Sequence, residues 1–348
     1  MWVLAFVTFF MSSILDNMTT TIIMVMMLRR MLTVQKERWL FASVIVIAAN
    51  SGGAWSPIGD ITTIMLWMKN YVSSVDLIVN LIIPCIASVV VPVMIASRQI
   101  EPAPVEALNS QDKRVGYELS KEHHGLSVAI LCCGVGGLLF VPVFKAVTGL
   151  PPYIGIIISL AVLWLITECI VNHYKLEGKM EGRVSSALKG VDMPTILFFL
   201  GILMAVSALQ QANILNAIAN WLNDNIHEVY IINGIIGVLS SIVDNVPLVA
   251  ACMNMYPVAT EAAIQASADP TYLAAFVEDG VFWHLLTFCA GVGGSMLIIG
   301  SAAGVVAMGI EKISFTWYLK RISWMALAGY IVGIVLIWAE AALIPGVL

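Results

Sequence analysis

Residues 12–17 read SSILDN, and residues 240–245 read SSIVDN. Each hexapeptide places an aspartate and an asparagine inside an otherwise apolar stretch of the chain. The 348 residues are 60% hydrophobic and only 11% charged, whereas soluble domains carry about 25% charged residues. The composition therefore predicts an integral membrane protein, built from apolar segments of roughly 20 residues each.

Basic residues are concentrated in a few of the polar separators between the apolar segments. Of the 17 Lys and Arg, all but Lys69 and Lys145 lie within residues 29–38, 98–124, 173–192 and 311–321. Because cytoplasmic loops carry most Lys and Arg in membrane proteins, these four stretches are predicted to face the cytoplasm. That orientation requires residues 1–33 and 229–260 each to enter and leave on one side. Half of either segment is only roughly 22 Å long as a helix, which favours re-entrant hairpins.

A second pair of related stretches follows the two hairpins. Residues 49–63 read ANSGGAWSPIGDITT, and residues 290–304 read AGVGGSMLIIGSAAG. In both, a Gly-Gly pair is followed by a third glycine, and glycine costs about 1 kcal/mol in a helix interior. Broken helices are therefore predicted in both places. Since one hairpin enters from the cytoplasm and the other from outside, the repeats are predicted to be inverted, as in transporters with discontinuous helices.

The predicted fold is an all-α polytopic membrane protein with two such repeats. The first repeat comprises residues 1–97, with hairpin 1–33, broken helix 39–68 and helix 75–97, and is followed by a cytoplasmic linker over 98–124. The second comprises residues 125–348, with three helices, hairpin 229–260, broken helix 281–310 and helix 322–344. Three full spans lie between the cytoplasmic loop and Ser240, but only 11 residues precede Ser12. About three N-terminal helices of a complete first repeat are therefore expected to be missing.

The aspartates of the two hexapeptides need a partner or a function, because a charged side chain costs about 2.5–3.5 kcal/mol at the centre of a membrane helix. Helix capping is one interpretation of Asp16 and Asp244, since an aspartate before an apolar run accepts the free N–H groups of the following helix. Capping alone does not explain two carboxylates, each beside an asparagine and facing a glycine-broken helix. We therefore predict that the hairpin tips meet near the midplane and bind Na⁺ at Asp16 and Asp244.

Other oxygen atoms are available to complete such a site. Amide oxygens come from Asn17, Asn50 and Asn245, and backbone carbonyls from unwound helix at Ser51, Gly52, Gly53, Gly293, Gly294 and Ser295. Asp60 adds a third carboxylate next to Thr62 and Thr63. Its alternative interpretation is a residue in the outer half of a helix, wetted from a cavity.

The distribution of positive charge indicates what kind of ion the site accepts. There is no Lys or Arg from residue 39 to 68 or from 190 to 311. An acidic site of this kind repels anions, which argues against a carrier for dicarboxylates, phosphate or arsenite unless a cation screens it. Several carboxylates in low dielectric do not all stay ionised without cations. Competition between Na⁺ and H⁺ for these carboxylates is therefore the predicted mechanism of exchange.

Four of these stretches together resemble one family. The strings SSILDNMTTTIIM, VIAANSGGAWSPIGDITTIMLW, SSIVDNVPLVAA and GGSMLIIGSAAG are similar, in that order, to NhaD-type sodium/proton antiporters of the ion transporter superfamily. The resemblance implies export of Na⁺ or Li⁺ in exchange for H⁺, a homodimer, no cofactor and no nucleic acid. It also implies a location in the bacterial cytoplasmic membrane. The ion-binding residues that it implies are Asp16, Asn17, Asn50, Asp60, Thr62, Thr63, Ser240, Asp244, Asn245, Ser295 and Ser301.

Other functions fit the sequence less well. A sodium-coupled carrier of another small ion or carboxylate is the alternative within the same superfamily. An intramembrane aspartyl protease is disfavoured, because no G-x-G-D motif occurs and the expected tyrosine is absent. A sodium channel is disfavoured because inverted repeats with hairpins are typical of carriers. No enzymatic activity is expected.

His284 is interpreted as an interfacial histidine at the outer side.

Overall fold

The computed structural model describes residues 1–32, 34–99, 152–173, 211–267 and 269–343, together with isolated residues within 130–150 and 197–209. Over these residues the regular secondary structure is entirely helical. The three helices predicted at the start of the second repeat cover residues 125–148, 153–172 and 193–211. The predicted linker beyond Gln99 and most of the first and third of these segments lie outside the described residues. The predicted segment 153–172 corresponds to a described helix.

Fifteen helices are formed by the described residues. The first part of the chain contains α1 (Trp2–Ser12), α2 (Asn17–Met31), α3 (Gln35–Ala54), α4 (Ile61–Met68) and α5 (Ser74–Ser97). The rest contains α6 (Pro152–His173), α7 (Ile214–Asn225), α8 (Val229–Ser240), α9 (Asn245–Met255), α10 (Glu261–Ala266), α11 (Pro270–Ala274), α12 (Val281–Gly293), α13 (Ala302–Glu311), α14 (Phe315–Arg321) and α15 (Ser323–Leu343). Two of them, α5 and α15, are long and apolar enough to cross a membrane, and six shorter helices are also apolar.

The chain forms two compact units. One consists of Met1–Val105 together with Ile202–Leu348, and the other of Glu106–Gly201. The second unit contains α6, whose Ser159 hydroxyl donates to the Gly137 carbonyl at 2.9 Å. All other helices named above belong to the first unit, in which α5 packs against α15 and α3 packs against α1, α2, α5, α12 and α13.

Polar N-caps start three of the helices that follow a break in the first unit. The Asp16 carboxylate accepts the Thr19 N–H at 2.9 Å at the start of α2, and Asp60 accepts the Thr62 N–H at 3.0 Å at the start of α4. The Ser301 hydroxyl accepts the Gly304 N–H at 3.2 Å at the start of α13. Each side-chain oxygen accepts a hydrogen bond from a backbone N–H of the first helical turn, which has no acceptor within the helix. The first helix pair (α1 and α2) and the first interrupted helix (α3 and α4) therefore have counterparts in the second helix pair (α8 and α9) and the second interrupted helix (α12 and α13).

Contacts between a helix pair and its interrupted helix recur at constant offsets. The Ser12 hydroxyl donates to the Ala49 carbonyl at 2.6 Å, and the Ser240 hydroxyl donates to the Ala290 carbonyl at 2.7 Å. Gly52 lies against the Phe9 carbonyl as Gly293 lies against the Gly237 carbonyl, in each case too closely for a β-carbon. The helix pairs correspond at an offset of 228 residues and the interrupted helices at 241. The glycine positions are therefore set by close backbone packing as well as by the breaks.

We expect the two serine hydroxyls to contribute equally to stability. Replacing Ser12 or Ser240 by alanine leaves a buried carbonyl without its donor, and should lower the free energy of unfolding by about 1–2 kcal/mol in each case. Thermal unfolding in detergent measures the effect. Ser97→Ala is the matched control, since the Ser97 hydroxyl bonds to the Met94 carbonyl at an exposed site. A loss at one serine but not at the other would contradict the equivalence of the two halves.

A buried ion cluster joins α13 to the first part of the chain. The Glu311 carboxylate, whose side chain is 1% exposed, lies 2.9 Å from Arg38 Nε and 3.4 Å from Arg29 Nε. The Trp39 indole N–H donates to the Glu311 carbonyl at 3.0 Å. These contacts connect the ends of α2 and α13 with the start of α3. All three helices carry residues of the candidate site at the opposite end.

Candidate functional site

The two helix pairs meet at the carboxylate of Asp60. The Asn17 side-chain amide donates to Asp60 Oδ2 at 2.9 Å, and the Asn245 side-chain amide donates to the same oxygen at 3.1 Å. The Asp60 residue is only 2% exposed. One carboxylate oxygen thus collects a donor from each hexapeptide, while the other caps α4.

Asn50 extends this cluster to the second interrupted helix. Its side-chain oxygen accepts the Asn17 amide at 3.2 Å. Its own amide donates to the hydroxyls of Ser295 at 2.9 Å and Ser301 at 2.8 Å. The hydrogen-bonded cluster therefore consists of Asp60, Asn17, Asn245, Asn50, Ser295 and Ser301, drawn from both halves of the chain.

The aspartates of the hexapeptides are placed differently from Asp60. Asp16 is half-buried, and its carboxylate accepts both the N–H and the hydroxyl of Thr19. It therefore caps α2, as the simpler interpretation of the sequence proposed. Asp244 is also half-buried and precedes α9, but its side chain makes no capping hydrogen bond. Asp244 directly precedes Asn245, whose side-chain amide reaches Asp60.

The remaining predicted residues surround the cluster and hold its shape. The Thr63 hydroxyl bonds to the Asp60 backbone in a capping box, and Thr62 donates its N–H to the Asp60 carboxylate. Ser51 accepts a hydrogen bond from Ser88 of α5 at 2.9 Å, and Ser240 bonds to backbone as described. Gly52, Gly53, Gly293 and Gly294 lie where added β-carbons would meet backbone or neighbouring side chains. The hydrogen bonds described for the side chains of Thr63, Ser51 and Ser240 go to other groups and not to the Asp60 carboxylate.

Several polar groups near this region were not predicted from the sequence. The hydroxyls of Thr20 and Thr21, in the first turns of α2, are buried and have no hydrogen-bond partner in the part of the chain that the structure describes. The run of three threonines directly after the Asp-Asn pair was the available signal. Tyr318 was also overlooked, and its hydroxyl donates to the Ser295 carbonyl at 2.8 Å. Tyr318 thereby fixes the turn that carries Ser295.

The chemistry of the cluster suits a hard monovalent cation. Its groups are one buried carboxylate, amides and hydroxyls, and oxygen atoms are the ligands that such cations prefer. Among the described residues, no group of three or more His, Cys, Asp and Glu lies close enough together to hold a metal ion. The stretches that form the cluster contain no Lys or Arg, so an anion finds no positively charged partner there.

Interrupted helices around a buried polar cluster are typical of integral membrane transporters. The chain belongs to the citrate transporter family (CitMHS), which matches residues 1–277. It is 46% identical over 335 residues to sodium/proton antiporter 1 of Arabidopsis thaliana, covering 96% of this chain and 54% of the relative. It is 45% identical to sodium/proton antiporter 2 of the same plant, covering 96% of this chain and 75% of the relative. It is 31% identical to the Na⁺/H⁺ antiporter NhaD of Vibrio cholerae, covering 96% and 69% respectively. The chain thus spans about half the length of the first of these relatives.

Proposed function

We propose that this protein exchanges Na⁺ or Li⁺ for H⁺ across a membrane, at a site centred on the Asp60 carboxylate. The observation that carries the proposal is a buried carboxylate that has amide donors from both helix pairs and no salt bridge within the described residues. Such a group is stable only with a proton or a cation bound to it. The sodium/proton antiporters among the relatives support Na⁺ as that cation.

Proton and cation compete for this carboxylate in the proposed mechanism. The Asn17 and Asn245 amides direct N–H groups at Asp60, which suits an ionised carboxylate. Rotation of either amide by half a turn brings its carbonyl oxygen to the same place, because the amide oxygen and nitrogen occupy equivalent positions. Na⁺ then receives a carboxylate and amide oxygens, and the nearby Asp244 charge favours it further. Asn50, held by Ser295 and Ser301, positions Asn17.

Exchange also requires that the site open to one side at a time. We propose that the two helix pairs are re-entrant and that the two halves are inverted repeats. The contacts that recur at constant offsets and the one-sided distribution of Lys and Arg support this arrangement. The loaded site, with either Na⁺ or H⁺ bound, then reorients between two states of the protein, so that the two ions move in opposite directions.

The resemblance supports three further parts of the proposal. Li⁺ replaces Na⁺, since it has the same charge and also prefers oxygen ligands. The protein forms a homodimer. The membrane is the bacterial cytoplasmic membrane, although the relatives come from a plant as well as from bacteria.

Sodium-coupled carriage of citrate or another carboxylate is the second candidate, because the family is described as citrate transporters. The charges of the site argue against it. Arg29 and Arg38, on two helices that carry site residues, are paired with Glu311 at the far ends of those helices. A carboxylate substrate beside Asp60 and Asp244 would have only a bound cation to offset its charge.

The test is cation-driven proton movement in proteoliposomes that contain a pH-sensitive dye. We expect Na⁺ and Li⁺ to drive proton movement in the absence of any organic anion, and K⁺ and choline to drive none. Asp244→Asn should lower the apparent affinity for Na⁺ by about tenfold, since a nearby negative charge contributes on the order of 1–4 kcal/mol to cation binding. Asp224→Asn, at an exposed position of α7, is the matched control.

Two results would overturn the proposal. Sodium uptake that depends on added citrate would favour the carboxylate carrier. Sodium flux that persists with no movement of protons, with the membrane potential clamped, would indicate a channel.

A further inference from the structure

A basic groove lies between the start of α3 and the end of α14, away from the Asp60 cluster. It has a volume of about 680 Å³. Its lining includes Lys36, Lys320, Arg321, Glu37, Trp317 and Gln99. Three cationic side chains and one carboxylate therefore face the groove, which leaves it with a net positive charge.

The cations of the groove are available to a ligand. Lys36, Lys320 and Arg321 are exposed, and none of them forms a salt bridge with another described residue. Arg29 and Arg38, in contrast, are both paired with the Glu311 carboxylate. Apart from Glu37, the groove has no described carboxylate in its lining, so it is suited to an anion.

Aromatic and apolar side chains place the groove at a membrane surface. Trp317 packs edge-on against Trp39, with ring centroids 5.2 Å apart, and tryptophan is enriched where lipid headgroups meet the apolar core. Phe315 and Leu319, on the same short helix as the basic residues, are 40% and 44% exposed. These basic residues also belong to the stretches that the positive-inside rule assigns to the cytoplasmic side.

We infer that this groove binds the phosphate-bearing headgroup of an anionic phospholipid in the cytoplasmic leaflet. The Arg321 guanidinium suits two oxygens of one phosphate, and the two lysines supply further positive charge. The exposed Phe315 and Leu319 provide a surface for the acyl chains. Basic pockets on the cytoplasmic side of membrane proteins bind anionic headgroups in this way. The inference is independent of which ion the protein transports.

Lipid titration of the purified protein in a neutral detergent tests the inference. We expect phosphatidylglycerol to raise the unfolding temperature by about 5 °C, because a ligand that binds only the folded state stabilises it. Phosphatidylcholine and inorganic phosphate should have little effect. Native mass spectrometry should show retained phosphatidylglycerol, reduced at least about tenfold in Lys36→Gln/Lys320→Gln/Arg321→Gln, a loss of about 1.4 kcal/mol in binding. Lys69→Gln, at an exposed site elsewhere, is the control.

Three outcomes would overturn the inference. Equal stabilisation by phosphatidylcholine would show that the headgroup charge is irrelevant. An equal effect of inorganic phosphate would show a site for free anions and not for lipid. Undiminished phosphatidylglycerol binding by the triple variant would place the lipid elsewhere. Arg321→Gln alone changes one exposed side chain and provides the same comparison if the triple variant does not fold.

Discussion

Asp60→Asn abolishes cation-driven proton exchange, with an expected loss of at least about 100-fold, or about 2.7 kcal/mol. Asparagine preserves the size of the side chain and its cap on α4, but it neither binds a proton at neutral pH nor offers a charge to Na⁺. The variant should fold as well as the parent or better, because it removes a buried carboxylate that has no basic partner. Dye-based exchange assays and thermal unfolding of the same preparation measure the two effects.

Two comparisons make the result specific to Asp60. Asp224→Asn makes the same chemical change at an exposed position and should leave exchange unchanged. Asp60→Glu retains the charge but moves it by one methylene group, so its activity should fall between those of the parent and Asp60→Asn. Exchange by Asp60→Asn at the parental rate would show that the transported cation binds elsewhere.

Glu311→Gln is expected to destabilise the protein by about 3 kcal/mol, at the lower end of the range for breaking a buried ion pair. The Arg29 side chain is 50% exposed and Arg38 is 21% exposed, so water partly compensates both guanidinium groups when the carboxylate is removed. Thermal or denaturant unfolding in detergent measures the loss. Glu278→Gln, at an exposed position, is the matched control.

A double-mutant cycle tests whether this loss comes from the cluster itself. Arg38→Gln should cost much less in the Glu311→Gln background than in the parent, since the partner has already been removed. Additive losses would show that the two side chains act independently. The cluster would then not be the connection between α2, α3 and α13.

The starts of four helices and the convergence of three asparagines were predicted from patterns in the sequence. Apolar segments interrupted by Asp-Asn pairs and by glycines predicted where α2, α4, α9 and α13 begin, because these residues act locally through capping and backbone freedom. Asn17, Asn50 and Asn245 were predicted to converge, and the structure brings all three into one hydrogen-bonded cluster. These features depend on short stretches, which the sequence displays directly.

The choice among the carboxylates did not follow from the sequence. Asp16, Asp60 and Asp244 each precede a helix, and the sequence does not show whether a carboxylate bonds to its own helix or also across to another. Asp60 was given the alternative interpretation of a residue wetted from a cavity, and that interpretation is wrong because Asp60 is buried. The contact of Glu311 with Arg29 has no local signal either, because 282 residues separate the two.

The burial of His284 was not predicted from the sequence either. The sequence placed it at the membrane interface, but the structure buries it completely. Tyr256, Phe276, Phe282 and Trp283 pack against one another around the start of α12. This aromatic cluster lies at the start of α12, the segment that the sequence alone predicts to be at the surface.

The correspondence between Asp60 and Ser301 has an electrical consequence. At the offset of 241 residues they occupy equivalent positions in the two interrupted helices. The side chain of each accepts a backbone N–H at the start of a helix. Two buried carboxylates at these two helix starts would repel each other. Serine keeps the helix start without adding a charge. The difference between Asp60 and Ser301 therefore leaves a carboxylate at only one of the two corresponding helix starts.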